Sequence, residues 1–342
     1  MFGRQAVAYE GSTVEGLQSY RRRLARLLDD RERGQPRPQP LMPHAPDIDE
    51  AGQRSLRYRL SLRSAPYLID HCIDGRPVLP MAAALEIIAQ FVAAGWPLAQ
   101  VSEVRDLRVL SGIVLDGYMP LDLRLHGSKA EDASGIVVEI LDAANSLPYY
   151  RATVMLAPAY PPEPPAMRAE SLSGGIAVDA SRTYRDILFH GERFRGLRRI
   201  ATLAPEGADA EVQGSIPEVF LGAAGREERW LFDPALMDLP PQLAWVWSRR
   251  HRDMVALPAR FGRVRRFGSE SLPRSLSLSF RLKSASHSSL LYDAHFIDAQ
   301  GRLRLLIEDG ESTMTAALNR LAPDHPQFQR GLSRAAAIRR SG

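Results

Sequence analysis

Residues 81–95, MAAALEIIAQFVAAG, are apolar on nearly every face, and only Glu86 and Gln90 interrupt them. A helix with one apolar stripe can lie on a core, but a helix that is apolar all round has to be enclosed. The material to enclose it flanks it in the chain. SLRYRLSLR, from Ser55, alternates as a half-buried strand does, and strand-like runs follow at 101–110, 119–126, 135–142 and 148–156. The first half therefore predicts one buried helix and about five antiparallel strands.

The same order then returns. After the proline-rich stretch APAYPPEPPAM comes a turn-rich segment, LFHGERFRG, and strand text in LRRIATLA. A helix is expected through ALMDLPPQLAWVWSRRH, with strands at 256–267, 275–283, 290–298 and 302–318. The duplication is one of architecture, with no residue-by-residue repeat. The expected fold class is α+β, with two antiparallel sheets in one chain, each wrapped around a long central helix. The expected divisions are an N-terminal helix (14–30) and proline-rich linker over 1–52, a first subdomain over 53–160 and a linker over 161–180. A second subdomain follows over 181–320, then a tail over 321–342.

Composition narrows the function. No apolar run reaches the roughly eighteen residues of a membrane helix, and the opening MFGRQAVAYEGSTVEG lacks the features of a secretory signal, so a cytoplasmic protein is expected. One cysteine, Cys72, excludes a disulfide framework and a cysteine-rich zinc site. Its position beside His71 suggests a nucleophile, but a small buried filler is the better account. The net charge of +4 comes almost wholly from Arg, with Lys only at 129 and 283. The aromatics fall inside apolar patterns rather than among the basic runs, which disfavours a nucleic-acid partner. The eight histidines are dispersed, without HxxxH, HxH or HExxH spacing, and no metal ligand set is expected.

Two segments carry chemistry. In HCIDGRPVLP, just before the buried helix, Gly75 permits a tight turn and close backbone approach to a ligand, and Pro80 starts a helix whose free amides suit a carbonyl gaining negative charge. His71 would lie beside that carbonyl as a base. In FDPALMDLPPQ, Asp238 either caps the second helix or, desolvated by an apolar tunnel, keeps a proton available as an acid, with Gln242 one turn on to orient it.

His71, Gly75 and Pro80 match the HxxxGxxxxP motif of polyketide synthase dehydratase domains, and Asp238 with Gln242 matches their DxxxQ motif. FDPALMD resembles the family's HPALLD, HGERFRG resembles YGPxFxG through Gly191 and Phe194, and LPARF is an echo of LPFxW. The resemblance covers about residues 53–320, and the wording PVLPMAAALE and LFHGERF is closer to polyunsaturated-fatty-acid-type and other iterative synthases than to ordinary modular ones. It implies a double hotdog fold and a dehydratase that turns a β-hydroxyacyl thioester into a 2-enoyl thioester. His71 would take the α-proton and Asp238 would protonate the leaving hydroxyl. It further implies no metal and no bound cofactor, the substrate riding on the phosphopantetheine arm of an acyl carrier protein. Arg263, Arg265 and Arg266 would meet that arm's phosphate and the acidic carrier. Neighbouring synthase domains are the other expected partners, and a homodimer is left open. The sequence departs from the pattern at His190, where the family has tyrosine, at Glu192, where it has proline, and at Pro240 and Pro241. Two rivals share the motifs: a related cyclase or isomerase, and an inactive scaffold that docks the carrier.

Overall fold

The computed structural model describes residues 41–116, 119–131, 135–164, 172–222, 229–268 and 271–321. The expected helix over 14–30 and the tail beyond 321 lie outside them. The first half holds β1 (Asp47–Ile48), β2 (Arg54–Leu60), the small hairpin β3 (Cys72–Ile73) and β4 (Arg76–Pro77), and helix α1 (Met81–Gly95). Four strands follow: β5 (Gln100–Val109), β6 (Leu121–Lys129), β7 (Ile136–Asp142) and β8 (Pro148–Ala157). Helix α1 is buried from Met81 to Val92 and packs against β5 to β8, as a helix without a polar face must.

The second half begins with β9 (Ile176–Val178), α2 (Ala180–Asp186), β10 (Leu197–Ala204), β11 (Gly207–Gln213) and α3 (Pro217–Leu221). Then come α4 (Pro234–Met237), α5 (Leu239–Arg252), β12 (Val255–Arg266), β13 (Ser275–Ala285), β14 (Ser289–Ile297) and β15 (Leu303–Thr315). Helix α5 packs against β11, β12 and β15. The chain is a double hotdog, and its two sheets are one. Among the described residues the strand order is β1-β2-β6-β7-β8-β5-β12-β15-β14-β13-β11-β10-β9, every pair antiparallel. The halves join where β5 pairs with β12, so each covers the edge the other would expose. No described helix is long and apolar enough to cross a membrane.

Three expectations change. Part of the expected linkers is structure: β1 pairs with β2, β9 pairs with β10, and Leu41 is buried, its amide donating to Gln90 Oε1 at 2.8 Å. The expected second helix is two, with Asp238 at the break. Pro240 and Pro241 lack the amide hydrogens that would carry the ladder through, so α4 ends and α5 restarts on them. The three arginines assigned to a carrier are occupied within the fold. Arg263 pairs with Glu103 of β5 at 3.2 Å, and Arg265 pairs with Glu308 of β15, the strand on the other side of β12, at 2.7 Å. Arg266 is buried, donates to the carbonyls of Trp230 and Leu231 at 3.0 and 2.9 Å, and covers the Tyr160 ring.

The two polar interruptions of α1 explain themselves. Glu86, fully buried, accepts hydrogen bonds from the amides of Leu231 and Phe232 and from Gln90 Nε2. Burial pushes its carboxyl up to about 7, against the downward pull of those donors and of Arg266. A native carboxyl that holds its proton more tightly than the unfolded one adds stability at low pH, and that contribution is lost as pH rises through the native value. Glu86→Gln sets a donor against an amide hydrogen and is expected to cost on the order of 2 kcal/mol. In urea unfolding the wild-type advantage is expected to be largest near pH 4.5 and to narrow towards pH 7.

Candidate active site

His71 is held by a hairpin. Asp74 and Gly75 both have positive φ, 51° and 73°, as the two central residues of a type I′ turn require, and this folds Arg76–Pro77 back on Cys72–Ile73. The hairpin brings Val78 opposite His71, where Val78 donates its amide to the His71 carbonyl at 2.9 Å. The Val78 carbonyl in turn binds His71 Nδ1 at 2.8 Å. Nε2 is the nitrogen left for chemistry. Gly75 therefore serves the turn, and it is not among the residues that line the cavity described below. Pro80 stands at the N-cap of α1 in extended conformation.

Asp238 comes from the other half. The cap of α4 is Asp233, whose carboxylate accepts from the amides of Ala235 and Ser215 and from Ser215 Oγ, and Pro234 follows as the first helical residue. Asp238 at the α4–α5 break makes no side-chain cap. Its Oδ2 instead accepts from Gln242 Nε2 at 2.9 Å and lies 3.1 Å from His190 Nε2. Of the two roles left open by the sequence, capping is the one the structure removes.

His71, His190 and Asp238 are all buried, and one ligating atom from each lies within 4.8 Å of the other two. They share the wall of one cavity of about 180 Å³ with Val78, Leu79, Pro80, Phe189, Gln242, Trp245 and the Leu257–Pro258 of LPARF. The fold gathers these three groups from distant points in the chain, a juxtaposition that local spacing of the histidines does not show. Burial lowers the His71 imidazole to about 4, with Asp238 opposing and His190 reinforcing, so the ring is a neutral base at physiological pH. The expectation that burial keeps Asp238 protonated is corrected. Burial does push the carboxyl up, but the hydrogen bond from His190, the two nearby imidazoles and Gln242 outweigh it and hold Asp238 below the usual range.

Gly191 and Phe194 act by position. A Cβ on Gly191 would run into Asp70 Oδ1; the close approach lets Gly191 donate its amide to the Asp70 carbonyl at 2.8 Å. Beside it, Arg193 Nη1 grips the Asp70 carboxylate at 2.7 Å, tying the second half to the residue before His71. The Phe194 ring packs 5.5 Å from that of His71, while its carbonyl accepts from Gln242 Nε2 at 3.0 Å. The sequence singles out neither Tyr184 nor Asp70 and Arg193, since no motif marks them and their partners are far along the chain. Tyr184 donates to Gln242 Oε1 at 2.8 Å and accepts from the Leu197 amide at 3.0 Å. Tyr184→Phe leaves both partners buried without this bond, and the expected loss is about 1–3 kcal/mol, read from the urea midpoint.

A family model described as polyketide synthase dehydratase domain matches residues 40–142, and one described as polyketide synthase dehydratase N-terminal domain matches 161–322, between them most of the chain. One of the subunits of the polyunsaturated fatty acid synthase of Thraustochytrium sp. is 27% identical over 254 residues, which is 73% of this chain and 9% of that protein. The chain thus spans about a tenth of that relative, which is of the class to which PVLPMAAALE and LFHGERF point. Among solved structures, the dehydratase domain of a mycocerosic acid synthase-like polyketide synthase has a TM-score of 0.67 at 19% identity, covering 82% of this chain and 98% of its own. The dehydratase domain of PpsC from Mycobacterium tuberculosis has 0.63 at 20%, covering 81% and 99%. At such identities these two speak for the fold.

Proposed function

The chain belongs to the polyketide synthase dehydratases, and on that premise we propose that it removes water from a β-hydroxyacyl thioester carried by an acyl carrier protein. The observation that carries the proposal is the convergence of His71 and Asp238, one from each half, on a single apolar cavity. An inactive scaffold has no need of that convergence.

The α-carbon of the acyl thioester gives its proton to Nε2 of neutral His71, whose tautomer the Val78 carbonyl sets. The negative charge that moves onto the thioester oxygen meets the first amides of α1, which no helical carbonyl uses, and the positive end of the helix dipole. The leaving hydroxyl needs a proton, and an ionised Asp238 does not hold one. His190 Nε2 and Asp238 Oδ2, 3.1 Å apart, take up one proton between them, and this pair passes it to the hydroxyl as the Cβ–O bond breaks and the 2-enoyl double bond forms. The proton gained by His71 then replaces the one the pair has lost. Gln242 fixes the carboxylate from behind. The proposed setting is a cytoplasmic multienzyme, with the carrier and neighbouring synthase domains as partners.

The test is incubation of the chain with β-hydroxyacyl carrier proteins of several lengths and mass detection of the loss of one water. His71→Ala and Asp238→Asn are each expected to slow turnover roughly 100- to 10,000-fold with folding retained by circular dichroism. Undiminished turnover in either variant removes that residue from the mechanism. A cyclase would leave these simple substrates unchanged.

A further inference from the structure

We propose that His71, His190 and Asp238 form a zinc site that shares its ligands with the elimination chemistry and blocks it when filled. Two imidazole nitrogens and one carboxylate oxygen, all buried, are a donor set zinc accepts. With Zn–N bonds of about 2.0–2.1 Å, tetrahedral ligand atoms stand about 3.3 Å apart. The His190–Asp238 pair is already at 3.1 Å, and all three atoms are within 4.8 Å, so closure takes side-chain shifts on the order of 1 Å.

One of the two imidazoles is already held as a ligating histidine is. Ligating histidines bind a carbonyl or carboxylate through their far nitrogen, and His71 Nδ1 does so at Val78. Gln242 fixes Asp238, and the Phe189 ring stacks on His190 at 4.1 Å. His190 Nδ1 is buried with no hydrogen-bond partner among the described residues, so no second bond locks that ring against turning towards an ion. The cavity supplies room for a water as fourth ligand, the arrangement of three protein ligands and one open position. What distinguishes this chain is position 190, where a tyrosine would remove one nitrogen from the set.

A bound ion would occupy Nε2 of His71 and the carboxylate of Asp238, and neither could then move a proton. The blocking rests on the dehydratase reading; the binding does not. The experiment titrates the untagged, chelator-treated full chain with Co²⁺ by absorption and with Zn²⁺ by calorimetry, beside His190→Tyr and Asp238→Asn. One ion per chain is expected, with tetrahedral Co²⁺ bands that both substitutions remove, and a Zn²⁺ affinity that each weakens roughly tenfold or more. Zinc is expected to suppress water loss, and a chelator to restore it. No saturable binding, or binding undiminished in His190→Tyr, overturns the site. Binding at these ligands without any effect on turnover overturns the blocking alone. A chain that never turns over the β-hydroxyacyl substrates fails the functional reading, and the Co²⁺ spectra still decide the site.

Discussion

The carboxyl group of Glu86 is where two half-proteins become one enzyme. It sits inside the first wrapped helix, yet two of its hydrogen bonds go to amides of residues 231 and 232 in the other half. Those residues lead directly into the Asp233 cap, the short α4 and the break at Asp238. From the opposite side Arg266 takes the carbonyls of residues 230 and 231, so the lead-in is gripped by both its donors and its acceptors. An acidic group in an apolar helix is costly unless such partners satisfy it. Here they do, and the distance from His71 to Asp238 follows from the arrangement.

The same logic governs the two groups of the proposed elimination. Each is buried, and each owes its state to what touches it: the imidazole at 71 is neutral because burial outweighs its acidic neighbour, and the carboxyl at 238 is ionised because its hydrogen bonds outweigh burial. Burial acts on the two groups with opposite sign, lowering the imidazole and raising the carboxyl, yet both end below their ordinary values. His190 mediates, lowering both. Where a tyrosine would offer a hydroxyl, this chain offers an imidazole 3.1 Å from the carboxylate of Asp238.

Much of the fold is legible in the sequence because its strongest signal is apolarity without a polar face, which admits few solutions. The turn at Gly75 and the placing of Gln242 one helical turn from Asp238 are legible as well, since spacing and turn chemistry are local, whereas the meeting of His71 with Asp238 follows only from the resemblance to the dehydratase family. Strand β11 escapes: GADAEVQ buries small alanines at 208 and 210, too weak an alternation to stand out. The cap at Asp233 is present in the sequence as an Asp-Pro pair, yet Asp238 competes with it for the same role. The joints between halves are illegible for a different reason. Asp70 and Arg193, or Glu86 and Leu231, stand more than a hundred residues apart, and nothing in either segment names the other. The arginines show the reverse error, for a basic run reads as a docking face until the partner strands with their glutamates are seen.

The seam between β5 and β12 and the grip on residues 230–232 bear on how such a protein can be rebuilt. A chimera cut at the proline-rich midpoint would look modular, yet it would transplant a helix carrying Glu86 without the loop it was selected to hold. The exchangeable unit runs diagonally through the chain: Glu86 and Gln90 from one hotdog travel with 230–238 and Arg266 from the other.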